Sequence, residues 1–239
     1  MIVRPARWLA LSVFALIIGC AETQMPVGLD GRLQVFSNDP TNPIFGRASD
    51  WAWLGPSDGL SFQTVYQSNT PALEITGGSD NAAIIRRLDA QLLATPFLFW
   101  SWSVENGPPR HPVRLVVGFA DAGTPPAELG GMAALFRGDE PPRFSRSLAL
   151  VWGGSALERG SLTRPAATED GKPSALYVVR GGRENRNRWW SENIDLSQLH
   201  ALAWPMVDMA YSRIVFTGIS SAKTETPGTV RISGLRLSR

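Results

Sequence analysis

The chain has 239 residues, 44% hydrophobic and 18% charged, with a formal net charge of +2, one cysteine and two histidines. A single cysteine excludes an internal disulfide framework. The near balance of charge excludes the basic excess that carries nucleic-acid binding, and no nucleic-acid partner is expected.

Arg4 and Arg7 precede an apolar run from Trp8 to Gly19. The run fits a secretory h-region and falls well short of the roughly 20 residues needed to span a bilayer, so residues 1–19 read as a signal peptide. The block Ile17, Ile18, Gly19, Cys20 resembles the lipobox of bacterial lipoproteins. That resemblance implies that Cys20 is acylated and becomes the mature N-terminus, tied to the membrane by two or more chains and therefore firmly. With Cys20 taken by lipid, His111 and His200 alone fall short of the three or four ligands of a zinc site, so neither a metal nor another cofactor is expected. Ala21 and Glu22 follow, with no Asp next to the lipid, which in a Gram-negative cell implies the outer membrane facing the periplasm. Loss of residues 1–19 removes two arginines and no acid, leaving 21 basic and 21 acidic side chains. With no disulfide available, stability must come from burial, which a chain of this length can supply.

Residues 20–31, with Pro26, Gly28 and Gly31, read as a lipidated tether, and residues 32–239 as a single domain. Period-2 patterning then dominates. Strands are predicted over Ser61–Tyr66, Ala72–Thr76, Ala82–Leu88, Phe97–Val104, Val113–Ala120, Ser147–Trp152, Ala175–Arg180, Arg188–Ile194, Arg213–Thr217 and Thr229–Leu237. In the clearest of them Leu98, Trp100, Trp102 and Val104 share one face, against Ser101 and Ser103 on the other. Gly77-Gly78, Gly107-Pro108-Pro109, Gly153-Gly154, Gly171-Lys172-Pro173 and Pro227-Gly228 punctuate the strands and favour antiparallel connections. One short helix is predicted from Asp195, a capping residue, ending before Pro205; a second is predicted over Ala127–Phe136. The fold class is therefore all-β: a jelly-roll-like antiparallel β-sandwich with one or two short helices.

The series Pro96–Val104, Val113–Phe119, Ser147–Gly153, Tyr177–Gly182 and Ile214–Gly218 resembles the DUF3047 family of exported bacterial proteins over roughly residues 50–239. The W-x-W strand and the L-x-x-V-W-G strand are its most distinctive pieces. The resemblance implies a jelly-roll sandwich similar to carbohydrate-binding modules and names no activity. Relatives often carry acids where this chain has Arg110-His111 and Ser220-Ser221-Ala222-Lys223, which implies that any cation or polar ligand held by those acids is not held here.

No nucleophile elbow, phosphate loop or dinucleotide glycine pattern occurs, and no catalytic residue is assigned. Gly153-Gly154-Ser155 reads as a β-turn, and His111 and His200 as surface or capping histidines. Asp139-Glu140 and Glu169-Asp170 are the adjacent acid pairs on which a glycoside hydrolase would have to draw, and both read as solvated loops. The candidate ligand site is Trp189 and Trp190 with Arg183, Arg186 and Arg188: an indole packs on the apolar face of a sugar while guanidinium groups bond its hydroxyls. Adjacent residues on a strand point to opposite faces, so one of the two indoles belongs to the core. Against this stands a charged hairpin tip whose Trp covers a sheet edge. Trp100, Trp102 and Trp152 read as core, and Trp51 and Trp53 as further candidates for an exposed site. The expected function is a lipid-anchored binding module for a glycan or other envelope ligand; the alternatives are an assembly lipoprotein contacting an envelope protein and a hydrolase.

Overall fold

The computed structural model describes residues 31–36, 51–67, 70–123, 142–164 and 172–239. Cys20 with the signal and most of the tether, the helix expected at Ala127–Phe136, and the pairs Asp139-Glu140 and Glu169-Asp170 lie outside the described residues.

Alternating apolar side chains on the strands can be buried only by facing a second sheet, and the chain forms two. The six-stranded sheet runs β11 (Trp190–Asp195), β6 (Phe97–Asn106), β13 (Gly228–Ser238), β4 (Thr70–Gly77), β3 (Leu60–Gln67), with β1 (Arg32–Gln34) pairing the end of β13 that β4 leaves free. The seven-stranded sheet runs β2 (Trp51–Leu54), β5 (Ala82–Gln91), β12 (Arg213–Ser221), β7 (Val113–Ala120), β8 (Arg146–Gly153), β10 (Ser174–Gly181), β9 (Leu162–Thr163). From β10 onward the chain changes sheet at every strand, as in a jelly roll. All ten predicted strands are present, and β1, β2 and β9 add three short ones.

One pairing departs from the antiparallel expectation: β10 lies parallel to β8. The two-residue β9 is the return strand, antiparallel to β10 on its outer side, so β10 inserts beside β8 running the same way. The 3-10 turn Ala156–Glu158 starts that excursion, and Ser155 caps it by accepting from Leu157 N at 3.2 Å, in place of the simple β-turn expected at Gly153–Ser155.

Leu98, Trp100, Trp102 and Val104 of β6 face Leu115, Val117 and Phe119 of β7 and Leu148, Leu150 and Trp152 of β8 in one buried core. Trp102 touches Trp100 and Trp152 edge-on, at 5.6 and 5.5 Å between ring centroids, the geometry that aligns ring edge with ring face. A smaller cluster of Ala52, Ile85, Ala120, Val215 and Phe216 lies, by strand alternation, on the outer side of the seven-stranded sheet. Gly118 is needed there, since a Cβ would fall 2.0 Å from the Phe216 ring. The one inward cation of β5, Arg86, is buried and donates to the carbonyls of Val35 and Gln34, tying the sheets together beside β1.

Helix α1 (Leu196–Ala203) begins where expected: Asp195 Oδ1 accepts from Ser197 N at 2.9 Å and Gln198 N at 3.0 Å. Its Leu196, Leu199, His200 and Ala203 form the buried i, i+3, i+4, i+7 stripe.

Strand registers define two ends of the sandwich. At the N-terminal pole Arg32, Ser238, Phe97 and Asp195 form one row across the first sheet, and Gln91, Arg213 and Ala120 a row across the second. Gly31 joins this pole by accepting from Arg239 N, and α1 caps it. The turn pole, opposite, gathers Gly77 with Gly228, Ala82 with Ser221, Gly153 with Gly181, and the turn Gly182–Trp189.

Candidate functional site

The five predicted ligand residues all sit in or beside the β10–β11 turn, in different environments. Trp190 pairs with Trp102 in register, so its side chain points inward and packs against the main core. Its Nε1–H donates to the Asn185 carbonyl at 2.8 Å, and the Arg180 guanidinium covers its ring at 3.7 Å from the centroid. Trp190 is thus half-buried and already engaged by the core, a backbone carbonyl and a cation. Trp189, half-buried, immediately precedes β11, whose outward positions are Ser191 and Asn193; alternation carried one residue back sets it toward that outer side.

Arg186 is spent on the fold: Nη1 donates to Gly107 O at 2.9 Å and Nη2 to Pro108 O at 2.6 Å, closing the neighbouring turn. Burial, reinforced by the charge of Arg183, lowers its pKa. Arg183 and Arg188 are exposed. The residues that could meet a ligand are therefore Trp189, Arg183 and Arg188.

A β-bulge between Val178 and Arg180 turns Arg180 inward. There Arg180 Nε meets Glu192 Oε1 at 2.7 Å, and the same oxygen accepts from Trp102 Nε1 at 3.2 Å. Glu192 is only 4% exposed, so the pair is a buried clasp between β10 of one sheet and β11 of the other. Its sequence signal is an acid at the inward parity of Trp190, Glu192 and Ile194. Removing either partner would leave a buried charge uncompensated.

The outer side of the six-stranded sheet carries a connected polar surface. Arg231 Nε donates to Glu74 Oε2 at 2.8 Å while its Nη1 lies 3.4 Å from Glu105 Oε2, and Glu105 also accepts from Ser103 Oγ at 2.7 Å. Gln63 donates to Glu74; Ser101 and Ser191 hydroxyls meet at 2.9 Å, those of Thr76 and Thr229 at 3.0 Å. With its amide nitrogen turned toward Glu105, Asn187 donates to that residue at 3.2 and 3.3 Å. Arg236 lies over Phe99 at 3.7 Å. Burial pushes the Glu74 carboxyl up, but hydrogen bonds from Arg231 and Gln63 and the charge of Arg231 outweigh it and hold the group below the usual range. A general acid must instead hold its proton near neutral pH, so Glu74 is poorly suited to that role.

Three expectations are corrected. Trp51 and Trp53 pack against the core, Trp51 stacked on Phe36 and Trp53 edge-on to Phe62, because β2 pairs with β5 and turns both indoles inward. His111 is buried, not superficial: Nδ1 accepts from Val113 N at 3.2 Å, so Nε2 carries the proton toward Asn106 O at 3.1 Å. Burial lowers its pKa to about 4. His200 is also fully buried, 5.1 Å from the ring centroids of both Phe119 and Trp204, and neither ring nitrogen has a partner. Burial and the nearby Arg146, opposed by Asp121, likewise lower its pKa to about 4. Trp100, Trp102 and Trp152 are core, as expected. Among the described residues no cluster of three His, Cys, Asp or Glu is placed to hold a metal, and no helix is long and apolar enough to cross a membrane.

No family model matches the chain, and no curated protein does. Solved structures similar in outline include the family 11 carbohydrate-binding module of the cellulosomal cellulase Lic26A-Cel5E of Clostridium thermocellum, at 8% identity and TM-score 0.43, covering 87% of this chain and 94% of that one. The native family 12 xyloglucanase from Bacillus licheniformis is 10% identical at TM-score 0.46, with coverage of 84% and 98%. The catalytic domain of Humicola grisea Cel12A is 11% identical at TM-score 0.47, with coverage of 81% and 94%.

Proposed function

We propose that the protein is a lipid-anchored, non-catalytic binding module of the cell envelope, acylated at Cys20, and that it takes a glycan on the outer side of the six-stranded sheet. The observation that carries the reading is the connected polar surface of Ser101, Ser191, Glu74, Glu105 and Arg231, with Trp189 leading into the edge strand β11. Hydroxyl and amide groups are held there by one another and by ion pairs, so they keep their positions for a polyhydroxylated ligand at little cost in side-chain ordering. Trp189 supplies the apolar platform at the edge, and the exposed Arg183 and Arg188 flank the turn from which it emerges. Both carboxylates of this surface share Arg231, which suits binding better than proton transfer. The DUF3047 resemblance belongs to the same proposal.

Tryptophan fluorescence of the full chain in detergent, titrated with envelope glycan fragments, tests it. A saturable change is expected, weakened by about tenfold in Trp189→Ala, the loss of one stacked indole. Absence of any response, or an unaltered response in Trp189→Ala, would refute this surface as the site. The anchor is tested separately by palmitate labelling, which is expected in the wild type and absent in Cys20→Ala.

A further inference from the structure

The N-terminal pole concentrates apolar side chains that the sandwich does not use. Met206 is 95% exposed, Tyr211 62%, Leu93 56% and Leu202 55%. These are four of the six exposed large hydrophobic side chains among the described residues; Tyr66 lies beside the β3–β4 turn and Leu157 belongs to the turn pole. Leu202, Met206 and Tyr211 follow one another along a single stretch of chain, and packing brings Leu93 to it. Leu93 follows β5 by two positions, and the N–H of the intervening Leu92 bonds the carbonyl of Ser212, next to Tyr211. Leu202 lies on α1, and Met206 on the loop linking α1 to the 3-10 turn Met209–Tyr211. Arg164, donating to Leu202 O, and the exposed Arg239 add cations to this pole; exposed Asp208 caps the 3-10 turn.

The same pole receives the tether. Ten residues separate Cys20 from Gly31, and Gly31 is held at this end by Arg239. Even fully extended, that length reaches at most about 36 Å. The 11 residues of β13 span roughly 37 Å from pole to pole, so an anchored chain keeps the N-terminal pole nearest the lipid. Leu, Met and Tyr flanked by Arg are the side chains that enter the boundary between headgroups and acyl chains. We propose that this pole rests on the bilayer, with Met206, Leu202, Leu93 and Tyr211 inserted shallowly, so that the turn pole points away from the membrane. The inference rests on acylation of Cys20.

The test places a fluorophore on the thiol of Met206→Cys, and separately of Leu157→Cys, in the full acylated chain, where the lipid blocks Cys20. Both positions are exposed, so folding is spared. In phosphatidylethanolamine–phosphatidylglycerol vesicles carrying shallow doxyl-labelled lipid, quenching several-fold stronger at position 206 than at 157 is expected. Equal quenching at both positions, or none at either, in a chain that incorporates palmitate would overturn the orientation and leave the anchor standing. Protection of position 206 from an aqueous quencher without quenching by lipid would also overturn it, assigning the pole to residues 21–30, a second copy or another protein. Failure to incorporate palmitate would defeat the anchor and this inference with it.

Discussion

The two poles close the same sandwich by different chemistry, and a buried histidine marks each. At the turn pole, glycine- and proline-rich connections leave backbone groups without ladder partners, and polar side chains take them up. His111 bonds the Val113 amide and the Asn106 carbonyl, and Arg186 bonds the carbonyls of Gly107 and Pro108. At the N-terminal pole α1 satisfies its own backbone and offers an apolar stripe, so His200 sits between Phe119 and Trp204 with both nitrogens unbonded. An arginine or histidine in a turn-rich segment thus answers first to the backbone. What the turn leaves over is the exposed pair Arg183 and Arg188.

Acid is expected to give the largest effect and to act at both poles. Each histidine has a folded-state pKa of about 4 against an ordinary 6.5, so the unfolded chain takes up protons first. The histidine contribution is then complete above pH 6.5, falls as the pH drops toward 4 and levels off below that, where protonation of Glu74, held below the usual carboxylate range, continues the loss; the His111 contribution reaches about 3 kcal/mol. Urea midpoints across this window in the wild type, His111→Leu and His200→Leu check it, each variant showing a shallower pH slope.

At neutral pH the same two variants should part. His111→Leu strands a buried amide and a part-buried carbonyl and is expected to cost about 1–3 kcal/mol, whereas His200→Leu removes two unbonded nitrogens from an aromatic pocket and should be neutral or stabilising. Equal losses from both would show that His200 has a hydrogen-bonding role like that of His111.

How much of this was legible follows from how far apart the determining residues lie. Strand β6 is readable because Leu98, Trp100, Trp102 and Val104 write its inward face within eight residues. Strands β1 and β9, at three and two residues, are too short to show a period, and their existence depends on partners such as Leu237 and Tyr177 far along the chain. The adjacency of Trp189 and Trp190 says that they diverge. Which one faces the core is decided by the pairing of Trp190 with Trp102, 88 positions earlier, and a single sequence does not display that register. The Arg180–Glu192 clasp is half visible, as an acid at inward parity, but its cation arrives through a bulge that alternation does not predict.

The smallest expected difference compares the cap of α1 with the cap of the turn-pole 3-10 turn. Asp195 Oδ1 accepts from two backbone amides and from Ser197 Oγ at 2.6 Å, and it anchors eight helical residues that bury Leu196, Leu199 and His200. Ser155 accepts from one amide and holds three residues with no buried side chain. Asp195→Ala should therefore cost about 1 kcal/mol, and Ser155→Ala a few tenths, by thermal unfolding. The ordering matters more than either value. Losing the Asp195 cap frees a helix packed on Phe119 and Trp204, so the loss is transmitted to the core, whereas the Ser155 turn can fray into solvent without disturbing β8 or β10. Equal costs would mean that the turn is coupled to the sheets more tightly than its single cap bond and exposed Leu157 imply.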